Sequence, residues 1–149
     1  MLSISLLILA LVFNGLVFKK LDRFFVCLAT LILTTAHYWL FDGAVSFMYY
    51  GTAALASLTT IAILQIMPRS PLTVHMQIIY LAFIAANYIG YGVFQSGSDP
   101  FWYNALVYCL VGVEFIRLIV VTDEDKKYGH IARELHISGD ASSSGKSGL

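Results

Sequence analysis

Long apolar runs alternate with short polar breaks along the chain. Each run has the length, about 17–25 residues, that an α-helix needs to cross the hydrocarbon core of a bilayer. The breaks contain proline, or glycine and serine, and are typical of turns. Because short connections place successive helices side by side and antiparallel, the pattern predicts an all-α, up-and-down integral membrane bundle. The five predicted spans are residues 2–18, 24–41, 44–67, 72–94 and 101–121.

The first run admits an alternative. If it lay in the membrane interface, four transmembrane helices would remain as the fallback. Interfacial helices carry a polar face, however, and residues 2–18 are apolar on all sides. We therefore expect five crossings.

Composition agrees with this pattern. Hydrophobic residues make up 58% of the chain and charged residues 12%, against roughly 45–50% and about 25% in soluble domains. The formal net charge is zero, which argues against a basic nucleic-acid binder, so no nucleic-acid partner is expected. Membrane lipid is the expected surroundings.

Half of the charged residues follow Thr122. We expect residues 122–149 to form a cytoplasmic tail, with a short helix over about 122–136 and a flexible glycine- and serine-rich end. Thr122 and Asp125 have the spacing of a capping box at the start of that helix. Its apolar edge predicts packing on the membrane or on a soluble partner.

The loop charges predict an orientation. Basic residues favour the cytoplasmic side of a membrane. Counting the loops alternately places the N-terminus outside and the tail in the cytoplasm; the sequence does not say which membrane. The loop residues that decide this are Lys19, Lys20, Arg23 and Arg69 on the cytoplasmic side, and Asp42 and Asp99 outside.

Aromatic residues collect in the predicted outer half. The expected role is anchoring at the headgroup level, as for interfacial tyrosine and tryptophan in general. Since such belts normally occur at both interfaces, two alternatives remain: an aromatic-lined outer cleft that holds a ligand, or a docking surface for a partner. The outer aromatic belt comprises Trp39, Tyr49, Tyr50, Tyr88, Tyr91, Trp102 and Tyr103.

Two stripes of small residues recur every four positions. Small residues let membrane helices approach closely. Because the two runs are joined by a short turn, we expect the stripes to pack within one subunit, with a homo-oligomer contact as the alternative. The stripes are Thr52, Ala56 and Thr60 in the third span, and Ala82, Ala86 and Gly90 in the fourth.

Few polar residues interrupt the spans. Glu114 and Arg117 lie at i and i+3, so we expect a local ion pair near the interface. The alternative makes Glu114 a proton- or cation-binding group. Thr30, Thr34 and His37 share one face of the second span, where they would hydrogen-bond across helices or line a wet path.

Candidate catalytic chemistry is lacking. Cys27 and Cys109 lie at different depths, so free thiols are expected, and no His or Cys spacing suits a metal. We expect no cofactor, and no nucleophile, base or metal cluster suggests a membrane enzyme. The sequence predicts a non-enzymatic anchoring or assembly subunit of a larger membrane complex, a homo-oligomer or one with other subunits. The alternative function is an oligomeric pore or small transporter, including a holin-like protein.

Overall fold

A computed structural model describes residues 2–17, 21–41, 46–120, 125 and 127. In this part of the chain five α-helices follow one another without strands, and the first continues as a π-helical turn, Phe13–Val17. The predicted all-helical bundle is confirmed. The helices are α1 (Leu2–Val12), α2 (Leu21–Phe41), α3 (Ser46–Ile66), α4 (Pro71–Ser96) and α5 (Phe101–Ile119).

Four of these helices, α2 to α5, are long and apolar enough to cross a membrane. The apolar part of α1 and its π-helical turn, Ser3–Leu16, is shorter. At about 1.5 Å per residue it extends about 20 Å, less than a hydrocarbon core of about 30 Å. The described residues of the first run are therefore too short for the expected fifth crossing.

The helices form a closed ring in chain order. Each packs against the next, and α5 returns to pack against α1. A hydrophobic core cluster draws residues from all five helices, among them Ala10, Cys27, Leu64, Met76 and Leu118. Any cavity inside the ring is therefore bordered by several helices at once.

The two ends of the ring differ in chemistry. One end, called the arginine end below, contains the start of α2 with Arg23, the connection from α3 to α4, and the end of α5 with Arg117. The other, called the aromatic end, contains the starts of α3 and α5 with Tyr49, Tyr50 and Tyr103.

Local signals fix the ends of α4. Ser70 caps its N-terminus in a reciprocal capping box with Thr73, and Pro71 occupies the first turn, where no donor is missed. Gly97 ends the helix in the left-handed conformation at φ 63°, which glycine adopts without steric cost. These local signals therefore determine where α4 begins and ends.

The predicted tail lies outside the described residues except for Asp125 and Lys127. The expected helix over 122–136 and the Thr122–Asp125 capping box are therefore not described. Cys27 is buried and Cys109 exposed, and both are free thiols.

Candidate functional site

A cavity of about 430 Å³ lies inside the ring. Helices α2, α3, α4 and α5 all line it, and Ser3 of α1 joins them at the aromatic end. Along α5 its lining runs from Tyr103 to Glu114, a rise of about 16 Å at 1.5 Å per residue. The cavity thus reaches from the aromatic end deep into the bundle.

Glu114 forms the floor of this cavity. The residue is 4% exposed, and its Oε1 accepts a hydrogen bond of 2.6 Å from the hydroxyl of Tyr80 on α4. No described residue donates a hydrogen bond to Oε2, and both ion pairs between described residues involve Asp125 instead. Among the described residues, the carboxyl group of Glu114 therefore has one hydrogen-bond donor and no ion-pair partner.

The predicted ion pair between Glu114 and Arg117 is wrong within the described structure. Arg117 Nε donates to His75 Nδ1 at 2.9 Å, and its two terminal nitrogens bind the two oxygens of Asp125 at 2.9 and 3.0 Å. Arg117 lies almost one turn closer to the arginine end, where these partners are. Glu114 lies deeper, where Tyr80 supplies the donor.

Arg23 closes the arginine end together with Arg117 and Asp125; we call these three residues the arginine clamp. Arg23 donates to the carbonyl oxygens of Leu118 and Val120 at 3.1 and 2.9 Å and forms a 2.5 Å ion pair with Asp125. Carbonyls in the last turn of a helix have no intrahelical donor, and at a membrane boundary they need another partner. The clamp supplies it.

Asn14 reinforces this closure from the π-helical turn. Its buried Nδ2 donates to the carbonyls of Ala10 and Leu118 at 2.8 and 3.1 Å. One amide thereby joins the first helical segment to the end of α5. The arginine end is sealed by polar contacts that the apolar pattern of the sequence does not reveal.

The polar stripe of α2 is divided between two environments. Thr34 and His37 line the cavity. Thr30 is buried, and its hydroxyl donates to the carbonyl of Cys27 in its own helix at 3.0 Å. The ring of His37 lies 5.3 Å from that of Tyr49 on α3, so the upper part of the cavity combines polar and aromatic walls.

The outer aromatic belt also divides in two. Trp39, Tyr88 and Trp102 are 88%, 81% and 79% exposed, as anchoring side chains would be. The other four form a cluster in which Tyr50 contacts Tyr49, Tyr91 and Tyr103 edge to face, with ring centroids 5.5 to 6.4 Å apart. Three of these, Tyr49, Tyr50 and Tyr103, line the cavity.

The fourth-span stripe includes one very close approach. Gly90 is buried, and a Cβ added to it would come within 2.7 Å of ring atoms of both Tyr50 and Tyr103. Ala86 is buried as well, while Ala82 is half-buried. Gly90 therefore packs under aromatic rings of its own subunit.

The third-span stripe satisfies its polar atoms locally. The hydroxyls of Thr52 and Thr60 donate to the carbonyls of Met48 and Ala56, four residues back in α3. Thr60 is buried, whereas Thr52 and Ala56 are half-buried. Ala56 and Thr60 both line the cavity, so this stripe contributes small side chains to its wall.

Two features of the site escaped sequence reasoning. The first is Tyr80, a tyrosine in the middle of a span and distant from the predicted belt. That position could have indicated a buried tyrosine with a hydrogen-bond partner on another helix. The link from Asp125 to Arg23 joins residues about 100 positions apart, and no local pattern predicts it. The described residues contain no group of three or more His, Cys, Asp or Glu that could hold a metal ion.

Comparison with known proteins gives no match: no family model, no curated protein and no solved structure resembles this chain. The function is therefore argued from the cavity and its residues alone.

Proposed function

We propose that the protein is a small membrane transporter that binds a small solute in its internal cavity. The observation that carries this proposal is the convergence of polar groups from separate helices, Thr34 and His37, Asn87 and Tyr80, and Glu114, on one cavity. Polar and ionisable residues within membrane spans are costly, and where they face the interior they mark substrate or ion pathways.

Size supports a binding role over imperfect packing. Protein interiors are close-packed, with few voids larger than a water molecule. A cavity of about 430 Å³ is within the range of ligand pockets, roughly 300–1,000 Å³. Its mixture of aromatic rings, hydroxyls, amides and one carboxyl also matches the usual composition of such pockets, which combine apolar walls with a few polar groups.

The position of the cavity opening is compatible with transport. Tyr108 lines the cavity and is 62% exposed, and Asn104, one turn earlier on α5, also lines it and is exposed. Because Tyr108 lies in the middle of a helix long enough to cross a membrane, the cavity opens through the side of the bundle, in the half nearer the aromatic end. At the arginine end, the arginine clamp and Asn14 join the described helices by polar contacts. Such a difference between the two halves is expected for one state of a transporter that works by alternating access.

Uptake into proteoliposomes tests the proposal. Purified protein would be presented with three radiolabelled solutes of similar size, one cationic, one neutral and one anionic. We expect uptake of at least one of them, and its loss in Ala53→Trp, which fills the cavity from α3. Ala62→Trp is the matched control, because Ala62 is exposed on the same helix and does not line the cavity.

Two results would overturn transport through this cavity. The first is no uptake of any of the three solutes by the wild-type protein, which would favour the anchoring or assembly role. The second is uptake that Ala53→Trp and Ala62→Trp leave equally unchanged, which would place the pathway between subunits, as in an oligomeric pore. Melting temperatures of both variants show whether each is folded.

A further inference from the structure

Glu114 is the starting point for identifying the solute. A carboxylate at this depth is costly unless a cation or several donors satisfy it. Tyr80 provides one hydrogen bond, to Oε1, and Oε2 receives none from a described residue. The cavity wall next to Glu114 is therefore suited to a ligand that brings positive charge and hydrogen-bond donors.

The described lining contains no competing cation of fixed charge. Neither Lys nor Arg is among the residues that line the cavity. The nearby Arg117 is held by both oxygens of Asp125 and by His75, and Arg23 is held by Asp125 and by carbonyls of α5. Both arginines are thus engaged by other described groups, and neither forms an ion pair with Glu114.

The remaining walls suit the body of an organic cation. Aromatic faces attract ammonium groups and also pack against apolar carbon. Tyr80 and Phe83 lie next to each other above Glu114, with ring centroids 5.7 Å apart, and both line the cavity. Tyr50 and Tyr103 pack edge to face nearer the aromatic end. A metal ion would need more oxygen ligands than this single carboxyl group offers.

We propose that the cavity binds a small organic cation, an ammonium group carried on an apolar or aromatic body. The ammonium group binds Glu114, oriented by the hydroxyl of Tyr80, and the body lies among the aromatic rings. This inference deepens the proposed function, since it names the solute class of the same cavity. Binding alone can test it, without transport.

The test compares two probes of matched shape. Radiolabelled 2-phenylethylammonium carries the charge, and 2-phenylethanol replaces the ammonium by a hydroxyl group. Binding to the full-length protein in detergent is measured by equilibrium dialysis. We expect the ammonium probe to bind more tightly, and Glu114→Gln to weaken its binding about tenfold or more, because a buried charge then loses its partner.

Matched variants separate charge from folding. Glu114→Asp retains the charge and should retain the preference for the ammonium probe. Asp99→Asn makes the same carboxylate-to-amide change at an exposed site that does not line the cavity, and it should leave binding unchanged. If Glu114→Gln is not folded, two other variants are compared instead. Ala53→Trp blocks the cavity and should lose the ammonium probe, whereas Glu114→Asp should still bind it.

The outcomes distinguish the two proposals. Equal binding of both probes, or a preference that survives Glu114→Gln, would overturn the organic cation as solute, while uptake of a neutral or anionic solute would still support transport. Glu114-dependent binding of the ammonium probe without uptake of any solute would support the cation site and overturn transport.

Discussion

The hydroxyl of Tyr80 on α4 donates a 2.6 Å hydrogen bond to Glu114 Oε1 on α5, and both residues are buried. This contact joins two neighbouring helices at the floor of the cavity. Glu114 interacts with Tyr80 and not with Arg117 one turn away, so the acid belongs to the cavity and the arginine to the end of the bundle. The separation of these two charges is the basis of the proposed solute site.

Removing this hydrogen bond should have a measurable but modest cost. We expect Tyr80→Phe to lower the free energy of unfolding by about 1 kcal/mol, since interhelical hydrogen bonds in membranes contribute about 0.6 and at most about 1.7 kcal/mol. Unfolding in detergent, followed by circular dichroism, measures the change. Tyr108→Phe is the control, because Tyr108 is exposed and its hydroxyl bonds to no described residue. An equal change in both variants would contradict the role of the Tyr80 hydroxyl.

Gly90 should tolerate no side chain. A Cβ there meets the rings of Tyr50 and Tyr103, whereas a Cβ at Gly92 on the same helix meets nothing within 4 Å. We expect Gly90→Ala to lose about 1–3 kcal/mol of stability from overpacking. Gly92→Ala should be neutral or slightly more stable, because alanine is the better helix former. Thermal unfolding in detergent measures the stability of the two variants. Equal stability would show that the rings of Tyr50 and Tyr103 move aside.

Much of the fold follows from the sequence, because apolar run length and turn residues are local signals. The predicted span over 101–121 and the observed α5, Phe101–Ile119, nearly coincide. The largest difference at a helix start has a non-local cause. Helix α2 begins at Leu21, three residues before the predicted span, and it includes Arg23, whose charge is matched by Asp125. Only the tertiary contact makes a buried arginine acceptable there.

The site was harder to predict than the fold. Sequence reasoning singled out Glu114, Thr34 and His37 as polar residues, and they line one cavity. The predicted partner of Glu114, Arg117, was wrong. Spacing at i and i+3 favours a local pair, but it does not exclude a better donor on another helix. Tyr80 is that donor. Packing across the ring decides which faces of separate helices meet, and a single sequence does not show this packing.

Arg23 should be a strong contributor to the stability of the arginine end. It is buried, satisfies carbonyls of Leu118 and Val120, and pairs with Asp125. We expect Arg23→Gln to lose about 2–3 kcal/mol, as for buried hydrogen bonds of a charged group, and Arg23→Lys to recover part of the loss. The measurement is again unfolding in detergent.

Arg69→Gln is the control for this prediction. Arg69 is exposed in the connection between α3 and α4 and makes no hydrogen bond or ion pair with a described residue. Its replacement should change stability by less than about 0.5 kcal/mol. Both variants remove one positive charge from the same end, so a defect in membrane insertion would affect both. Similar losses in the two variants would mean that total charge, rather than the contacts of Arg23, stabilises the bundle.

The loop charges predict the direction of the cavity in the membrane. Arg69 lies at the arginine end, and Asp99 lies at the aromatic end, in the connection from α4 to α5. Basic loops favour the cytoplasm, so we expect the arginine end to face the cytoplasm and the aromatic end to face outside. A green fluorescent protein fused after Leu149 should fluoresce, and alkaline phosphatase inserted after Ser98 should be active. The reverse pattern would mean that the solute enters the cavity from the cytoplasm, and uptake assays would then have to present it on that side.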